Sequence, residues 1–158
     1  MSVAYMNSFI SSLDNTFRTM LDCEVQRGQA TLKDNFSPKF DVSGIIGLSG
    51  KAIGTVVLSL SKEVALRAAS HMLMCENTEI NADVVDAVGE LTNIVAGSAK
   101  GELAEYQLMA SLPNVIIGRN HEVRFPSDVK PICVPFMTKW GPLALEVGFS
   151  PVREHALA

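Results

Sequence analysis

The sequence predicts a single domain, residues 1–158, that combines helices with short β-strands. Three observations lead to this prediction. Apolar residues recur at intervals of three or four in three separate segments, which is the spacing of amphipathic helices. Short runs rich in β-branched and aromatic residues fill most of the remaining chain, and proline and glycine interrupt them as they interrupt strands. A length of 158 residues fits one domain with a substantial core.

The first predicted elements are a helix and a strand. Tyr5, Phe9 and Phe17 repeat at helical spacing, so residues 3–20 should form an amphipathic helix with its aromatic stripe in the core. Residues 24–32 are compatible with a first strand, and turn-forming residues follow them.

A hairpin comes next. Residues 42–48 and 52–60 are β-branched segments that flank a short glycine-containing loop. Residues 136–150 align without gaps on residues 47–61, and each stretch consists of a strand, a turn and a strand that ends in serine. The match fits either an internal duplication or a chance similarity between two hairpins of the same period.

Two more helices follow the first hairpin. Ser61 is placed to cap the second helix, since its hydroxyl can accept a hydrogen bond from a free amide of the first turn, and this helix should end near Cys75. Asn81 is a candidate N-cap for the third helix, predicted over residues 82–105, and Asp83 suits the positive end of its dipole. The remaining predicted strands cover residues 107–111, 115–118, 122–125, 132–138 and 143–149.

Composition argues against several classes of function. Thirteen basic and seventeen acidic residues give a net charge of −4, and Lys and Arg form no stripe, so nucleic acid is not an expected partner. No apolar stretch approaches the length of a membrane span and no signal-peptide pattern opens the chain, so we expect a cytoplasmic protein without membrane association. The odd number and apolar surroundings of the cysteines predict reduced core thiols at Cys23, Cys75 and Cys133.

The third helix has two distinct faces. At 3.6 residues per turn, its apolar side is predicted to be buried and consists of Val84, Val88, Leu91 and Val95. The opposite side forms a ridge, in steps of four, three, four and three, made of Asp86, Glu90, Asn93, Gly97 and Lys100. The polar side chains of this ridge therefore act at one place.

Glycines on or beside the ridge admit two interpretations. Gly89, Gly97 and Gly101 should each cost the helix roughly 1 kcal/mol relative to alanine. Missing side chains would let the backbone of a partner come close, which makes the ridge a candidate docking surface. The alternative is an ordinary solvated face, which is what most such patterns represent.

The ridge also carries a family motif. Asp86-x-x-x-Glu90-x-x-Asn93 resembles the pattern of the CheC, CheX and FliY phosphatases of bacterial chemotaxis, and residues 88–99 are similar to that family through and beyond the motif. CheC proteins typically carry two copies, whereas this chain has one, which favours its CheX-like members. The family pattern includes a downstream proline, but Pro113 follows Asn93 by 20 positions, closer than that pattern, and is left outside the predicted site.

The resemblance implies a fold and an activity. The fold would be α/β, of the α+β type, with a long central helix across a β-sheet, and the protein would be a homodimer built by strand pairing between subunits. The activity would be that of a hydrolase, a phosphatase acting on the phosphoaspartate of a CheY-like response regulator. We expect no metal or cofactor of its own, because Mg²⁺ is expected on the partner regulator.

The ridge residues receive roles from the same resemblance. Asn93 and Glu90 would be catalytic, since an amide can orient the attacking water and a carboxylate can accept a hydrogen bond from a lysine of the regulator. Asp86, Gly89 and Gly97 would bind the partner. Asp86 either reaches the partner or supports Glu90 and the start of the helix.

Two other functions remain open. A noncatalytic adaptor, related to flagellar switch or chemosensory scaffold proteins, would grip a partner through the same helix. A small-molecule enzyme or sensor would need a pocket between helix and sheet, yet no convergent set of titratable residues indicates one. His71, His121 and His155 are scattered along the chain and predict no metal site.

Overall fold

The computed structural model describes residues 4–33, 38–118, 122–125 and 129–152. In these ranges three helices lie on one face of an eight-stranded antiparallel sheet, which confirms the α+β fold that the resemblance implies. The helices are α1 Tyr5–Met20, α2 Lys62–Leu73 and α3 Ala82–Glu102. The strands are β1 Gln26–Arg27, β2 Thr31–Leu32, β3 Val42–Ser49, β4 Ala52–Leu60, β5 Met109–Ala110, β6 Asn114–Ile117, β7 Ile132–Thr138 and β8 Gly141–Pro151.

The sheet has two long hairpins at its centre and short strands at its edges. Its order is β1-β7-β8-β4-β3-β5, with β2 also pairing with β7 and β6 also pairing with β3. Strands β5 and β6 therefore form the edge beside β3, over which α3 passes. Within the described ranges, no helix combines the length and apolar character that crossing a bilayer requires.

The helices agree with the sequence pattern, apart from their ends. The α1 stripe is fully buried, with Phe9, Leu13 and Phe17 inaccessible to solvent. The third helix ends at Glu102, earlier than predicted, and a short 3₁₀ turn, Ala104–Tyr106, continues the chain.

The capping hydrogen bond predicted for the second helix is wrong. Ser61 is the N-cap residue, but its hydroxyl makes no capping bond and is buried without a partner among the described residues. The side chain lies beside the β7–β8 turn, 3.3 Å from the position that a Cβ on Gly141 would take. Tertiary packing therefore takes the hydroxyl away from the helix.

The strand predictions hold for the central hairpins and fail at the periphery. Residues 24–32 form two separate two-residue strands rather than one. Residues 122–125 form no strand: Val123 and Phe125 instead pack on Val57, on the sheet face opposite the helices. The alternation of apolar residues in this segment reflects packing against the sheet and not strand pairing within it.

The cysteine prediction is correct for two of three residues. All three thiols are free, and Cys23 and Cys133 are buried. Cys75 is exposed, because it lies just beyond the left-handed Met74 that ends α2, where the chain leaves the helix layer.

The two long hairpins lie side by side, with β4 paired to β8. At the centre of this pairing Val57 lies opposite Glu146, and these residues are equivalent when residues 136–150 are aligned on residues 47–61. The two hairpins are thus related by a local two-fold axis through that pair. The pairing of β3 with β4 and the pairing of β7 with β8 differ in register by one residue. A duplication therefore explains the second strand of each hairpin directly, and it explains the first strand only if its register has shifted by one residue.

Candidate functional site on helix α3

Helix α3 begins at the predicted cap. The Asn81 Oδ1 accepts a hydrogen bond from the backbone N–H of Val84 at 2.9 Å, and Asp83 occupies the first turn. Both features satisfy or complement the free amides at the helix start. The cap fixes where the helix begins.

Close packing on the sheet fixes how the helix is rotated. Thr92 is buried, and its hydroxyl donates a hydrogen bond to the carbonyl of Val88 at 2.8 Å. A Cβ on Gly44 in β3 would lie 1.9 Å from the Thr92 Oγ1, so the helix is seated where strand β3 has no side chain. The predicted inner face is confirmed, since Val84, Val88, Leu91 and Val95 are all buried.

The opposite face carries the predicted ridge. Asp86, Glu90, Asn93 and Gly97 are exposed, while Lys100 is half-buried. The three polar side chains span about 10 Å of the helix axis. Within the described ranges, no hydrogen bond or ion pair to the rest of the chain engages them. They are available to a partner.

Gly89 differs from the other glycines. It is buried, and a Cβ there would lie 3.4 Å from the Val115 Cγ2 and 3.6 Å from the Pro113 Cγ. Its missing side chain therefore lets the protein's own β6 region approach α3, at a place where the sequence suggested room for a partner. At Gly97 and Gly101 nothing lies within 4 Å of an added Cβ, so those positions are open as predicted.

A shallow pocket of about 270 Å³ lies where α3 meets the start of β6. Its lining residues are Val85, Asp86, Gly89, Glu90, Pro113, Asn114 and Val115. One wall thus belongs to the motif and the other to the uncharged residues 113–115. The pocket joins the ridge to the edge of the sheet.

Pro113 was omitted from the predicted site, and the structure brings it next to the motif. It packs over Gly89 and lines the pocket with Asp86 and Glu90. The signal for it in the sequence is the downstream proline of the family pattern, although Pro113 follows Asn93 more closely than in that pattern.

The ridge places an amide and a carboxylate one turn apart. Among the described residues, no group of three or more His, Cys, Asp and Glu side chains could hold a metal ion. His71 is exposed on α2, while His121 and His155 lie outside the described residues. What the ridge offers is an uncharged amide that both donates and accepts hydrogen bonds, one turn from a carboxylate.

A separate cavity of about 600 Å³ lies at the end of α2. Trp140 and Met74 line it together with the exposed ion pair of Glu63 and Arg67. It shares no residue with the ridge, so the small-molecule alternative gains no support at the motif.

Comparison with known proteins agrees with the motif. The family described as chemotaxis phosphatase CheX matches residues 42–137, which include the whole of α3. The CheY-P phosphatase CheX of Thermotoga maritima is 26% identical over 127 residues, which cover 78% of this chain and 82% of that protein.

Solved structures show the same fold. A CheC-like superfamily protein from Shewanella sp. PV-4 superposes with a TM-score of 0.86 at 35% identity, covering 95% of this chain and 99% of that chain. A chain of the CheX–CheY–BeF₃–Mg²⁺ complex from Borrelia burgdorferi superposes with a TM-score of 0.79 at 23% identity, covering 94% and 99%. At the latter identity the likeness concerns the fold alone.

Proposed function

Because this chain belongs to the chemotaxis phosphatase family CheX, we propose that it accelerates hydrolysis of the phosphoaspartate of a CheY-like response regulator. The observation that carries the proposal is the pair Glu90 and Asn93, exposed on one ridge of a helix whose rotation is fixed by the sheet. The T. maritima relative is named as a phosphatase of phosphorylated CheY, and the B. burgdorferi complex contains CheX with CheY.

Asn93 positions the attacking water. Its amide oxygen accepts a hydrogen bond from the water, which directs an oxygen lone pair at phosphorus. The water oxygen bonds to phosphorus, the bond from phosphorus to the aspartate oxygen breaks, and the products are inorganic phosphate and a free carboxylate. An uncharged amide suits this place, because a carboxylate would repel the phosphoryl group.

Positioning alone is sufficient for a useful acceleration. An acyl phosphate hydrolyses without help, so the helix needs only to order the water for in-line attack. A hundredfold increase in rate requires a barrier lower by about 2.7 kcal/mol.

Glu90 fixes the register of the complex. Its carboxylate is exposed and accepts a charge-assisted hydrogen bond from a lysine beside the phosphoaspartate. Asp86, one turn earlier, lies on the pocket wall and meets the same partner surface. Gly97 leaves room for the partner backbone, while Gly89 acts indirectly by admitting Pro113 to the pocket.

The regulator supplies the remaining chemistry. In this proposal Mg²⁺ belongs to the regulator, where it neutralises charge on the phosphoryl oxygens. The phosphatase contributes the side chains of the ridge and no metal or cofactor.

The homodimer implied by the resemblance is also part of the proposal. Both edges of the sheet are built from strands of two to four residues, β1 and β2 at one side and β5 and β6 at the other. Strand pairing between subunits at the β1–β2 edge would leave both the outer face of α3 and the β5–β6 edge accessible. Light scattering of the purified protein tests this part separately.

The experiment that tests the function measures phosphate release from a phosphorylated CheY-like regulator with Mg²⁺, with and without the protein. We expect the native protein to accelerate phosphate release. Asn93→Ala should still bind the regulator, but its acceleration of release should be smaller by at least about a hundredfold. Asn15→Ala, at an exposed position of α1, is the matched control and should behave as the native protein.

The outcomes separate catalyst from adaptor. Binding of the regulator without faster phosphate release would favour the adaptor. Equal release by Asn93→Ala and the native protein would remove the proposed role of Asn93.

A further inference from the structure

The segment between β5 and β6 holds one large apolar side chain in solvent. Leu112 is 87% exposed, while Met109 in β5 and Ile117 in β6 are 72% and 56% exposed. From Tyr106 to Gly118 no residue carries a charge. The edge of the sheet beside α3 is therefore apolar and uncovered in the described part of the chain.

Contacts on both sides of Leu112 hold it in place. On one side the Ser111 N–H donates to the Gly47 carbonyl at 2.8 Å, and the Ser111 hydroxyl accepts from the Gly47 N–H at 2.9 Å. On the other side Pro113 packs over Gly89. The leucine is thus held by a fixed loop and does not simply project from a frayed end.

The position of Leu112 relates it to the motif. Its neighbour Pro113 lines the same pocket as Asp86 and Glu90. Acidic side chains on α3 and the apolar side chains of Pro113 and Val115 therefore form two sides of one surface, and Leu112 directly precedes it in the chain. A partner that fits this surface presents a basic group next to an apolar patch.

We propose that Leu112 is an affinity-determining contact for the phosphorylated regulator, packing on an apolar side chain next to the lysine that meets Glu90. This inference rests on the proposed function, because it takes the regulator as the occupant of the ridge. Burial of a leucine on binding stabilises the complex without touching the reacting atoms. Leu112 therefore changes the affinity for the regulator and leaves the chemical step unaltered.

The test replaces Leu112 by serine and measures phosphate release over a range of regulator concentrations. We expect the regulator concentration for half-maximal rate to rise about tenfold, while the maximal rate stays within about twofold. Leu112→Met, which restores an apolar side chain, should recover most of the affinity. Met74→Ser is the matched control, since Met74 is 92% exposed at the end of α2, outside the proposed surface.

Direct binding of the regulator loaded with BeF₃⁻ and Mg²⁺, a form that cannot be hydrolysed, keeps the two proposals apart when it is measured by titration calorimetry. Native protein that binds but does not accelerate release would overturn the phosphatase and still allow Leu112 to be tested by affinity. Equal affinity for Leu112→Ser and Met74→Ser would overturn the role of Leu112, whatever the activity. Absence of any binding by the native protein would overturn both.

Discussion

Glu90 on the ridge and Glu146 inside the sheet show two uses of the same side chain. Glu90 is exposed and has no partner among the described residues. The side chain of Glu146 is 1% exposed and forms an ion pair with Lys33, whose side chain is 7% exposed. Burial raises the pKa of Glu146, and Lys33 acts against that rise.

The difference separates residues that hold the fold from residues that meet a partner. A buried charge must have its partner inside the chain, because removing it from water is costly. A charge used for recognition has to remain without an internal partner until the complex forms. The three polar residues of the ridge satisfy the second condition and Glu146 the first.

The largest expected change in stability comes from replacing Glu146. Glu146→Ala leaves Lys33 without its main counter-charge and should lower the free energy of unfolding by about 3 kcal/mol. We place the loss at the lower end of the range for broken buried pairs, because Lys33 has a further interaction within the chain. Denaturation by urea measures the loss, and phosphate release per folded molecule should not change.

Glu90→Ala is the counterpart of that variant. It should change the free energy of unfolding by less than about 0.5 kcal/mol and weaken regulator binding about tenfold, since a charge-assisted hydrogen bond contributes about 1.5 kcal/mol. The reverse pattern, a stable Glu146→Ala and an unstable Glu90→Ala, would contradict the division between the two glutamates. The double variant Lys33→Met with Glu146→Leu should regain most of the lost stability.

Periodicity explains why the ridge could be predicted and the ion pair could not. The ridge lies within one helix, so its members are set by 3.6 residues per turn and by a motif of eight positions. Lys33 and Glu146 are 113 positions apart, and their contact follows from β2 and β8 both pairing with β7. No local pattern encodes that arrangement.

The pocket illustrates the same limit. Pro113 and Gly89 meet because β6 lies beside β3, beneath α3, which the sequence did not reveal. For this reason the space beside Gly89, which was expected to admit a partner, is occupied by the protein's own chain, although the helix around it was correctly predicted. Apolar alternation at residues 122–125 has a similar cause, since it reflects burial against the sheet and not strand pairing.

A further prediction concerns the close contact between the inner face of α3 and strand β3. Gly44→Ala would place a Cβ 2.8 Å from the Thr92 Cβ, which is too close, so the helix or strand must shift. Overpacking of this kind should lower the free energy of unfolding by about 1–3 kcal/mol. Because a shift of α3 also moves the ridge, the rate of phosphate release should fall as well.

Gly47→Ala is the matched control for Gly44→Ala. It lies in the same strand, and its added Cβ would meet Ser111 at an ordinary distance of 3.7 Å. The variants should be compared by thermal unfolding and by release rate. A Gly44→Ala protein as stable as Gly47→Ala would show that close contact with β3 does not set the position of α3.

The smallest effect is expected at Gly97, and it tests whether the ridge is a docking surface. Nothing lies within 4 Å of a Cβ at Gly97 or at Gly101, so alanine at either position should stabilise the helix by up to about 1 kcal/mol. Gly97 lies one turn from Asn93, whereas Gly101 lies two turns away, so only Gly97→Ala should weaken regulator binding, by a few-fold on the scale of about 1 kcal/mol. If Gly97→Ala raises the stability and lowers the affinity, while Gly101→Ala raises only the stability, then Gly97 favours partner binding and destabilises the fold. If both variants bind like the native protein, the partner does not approach that part of α3, and the contact surface ends near Asn93.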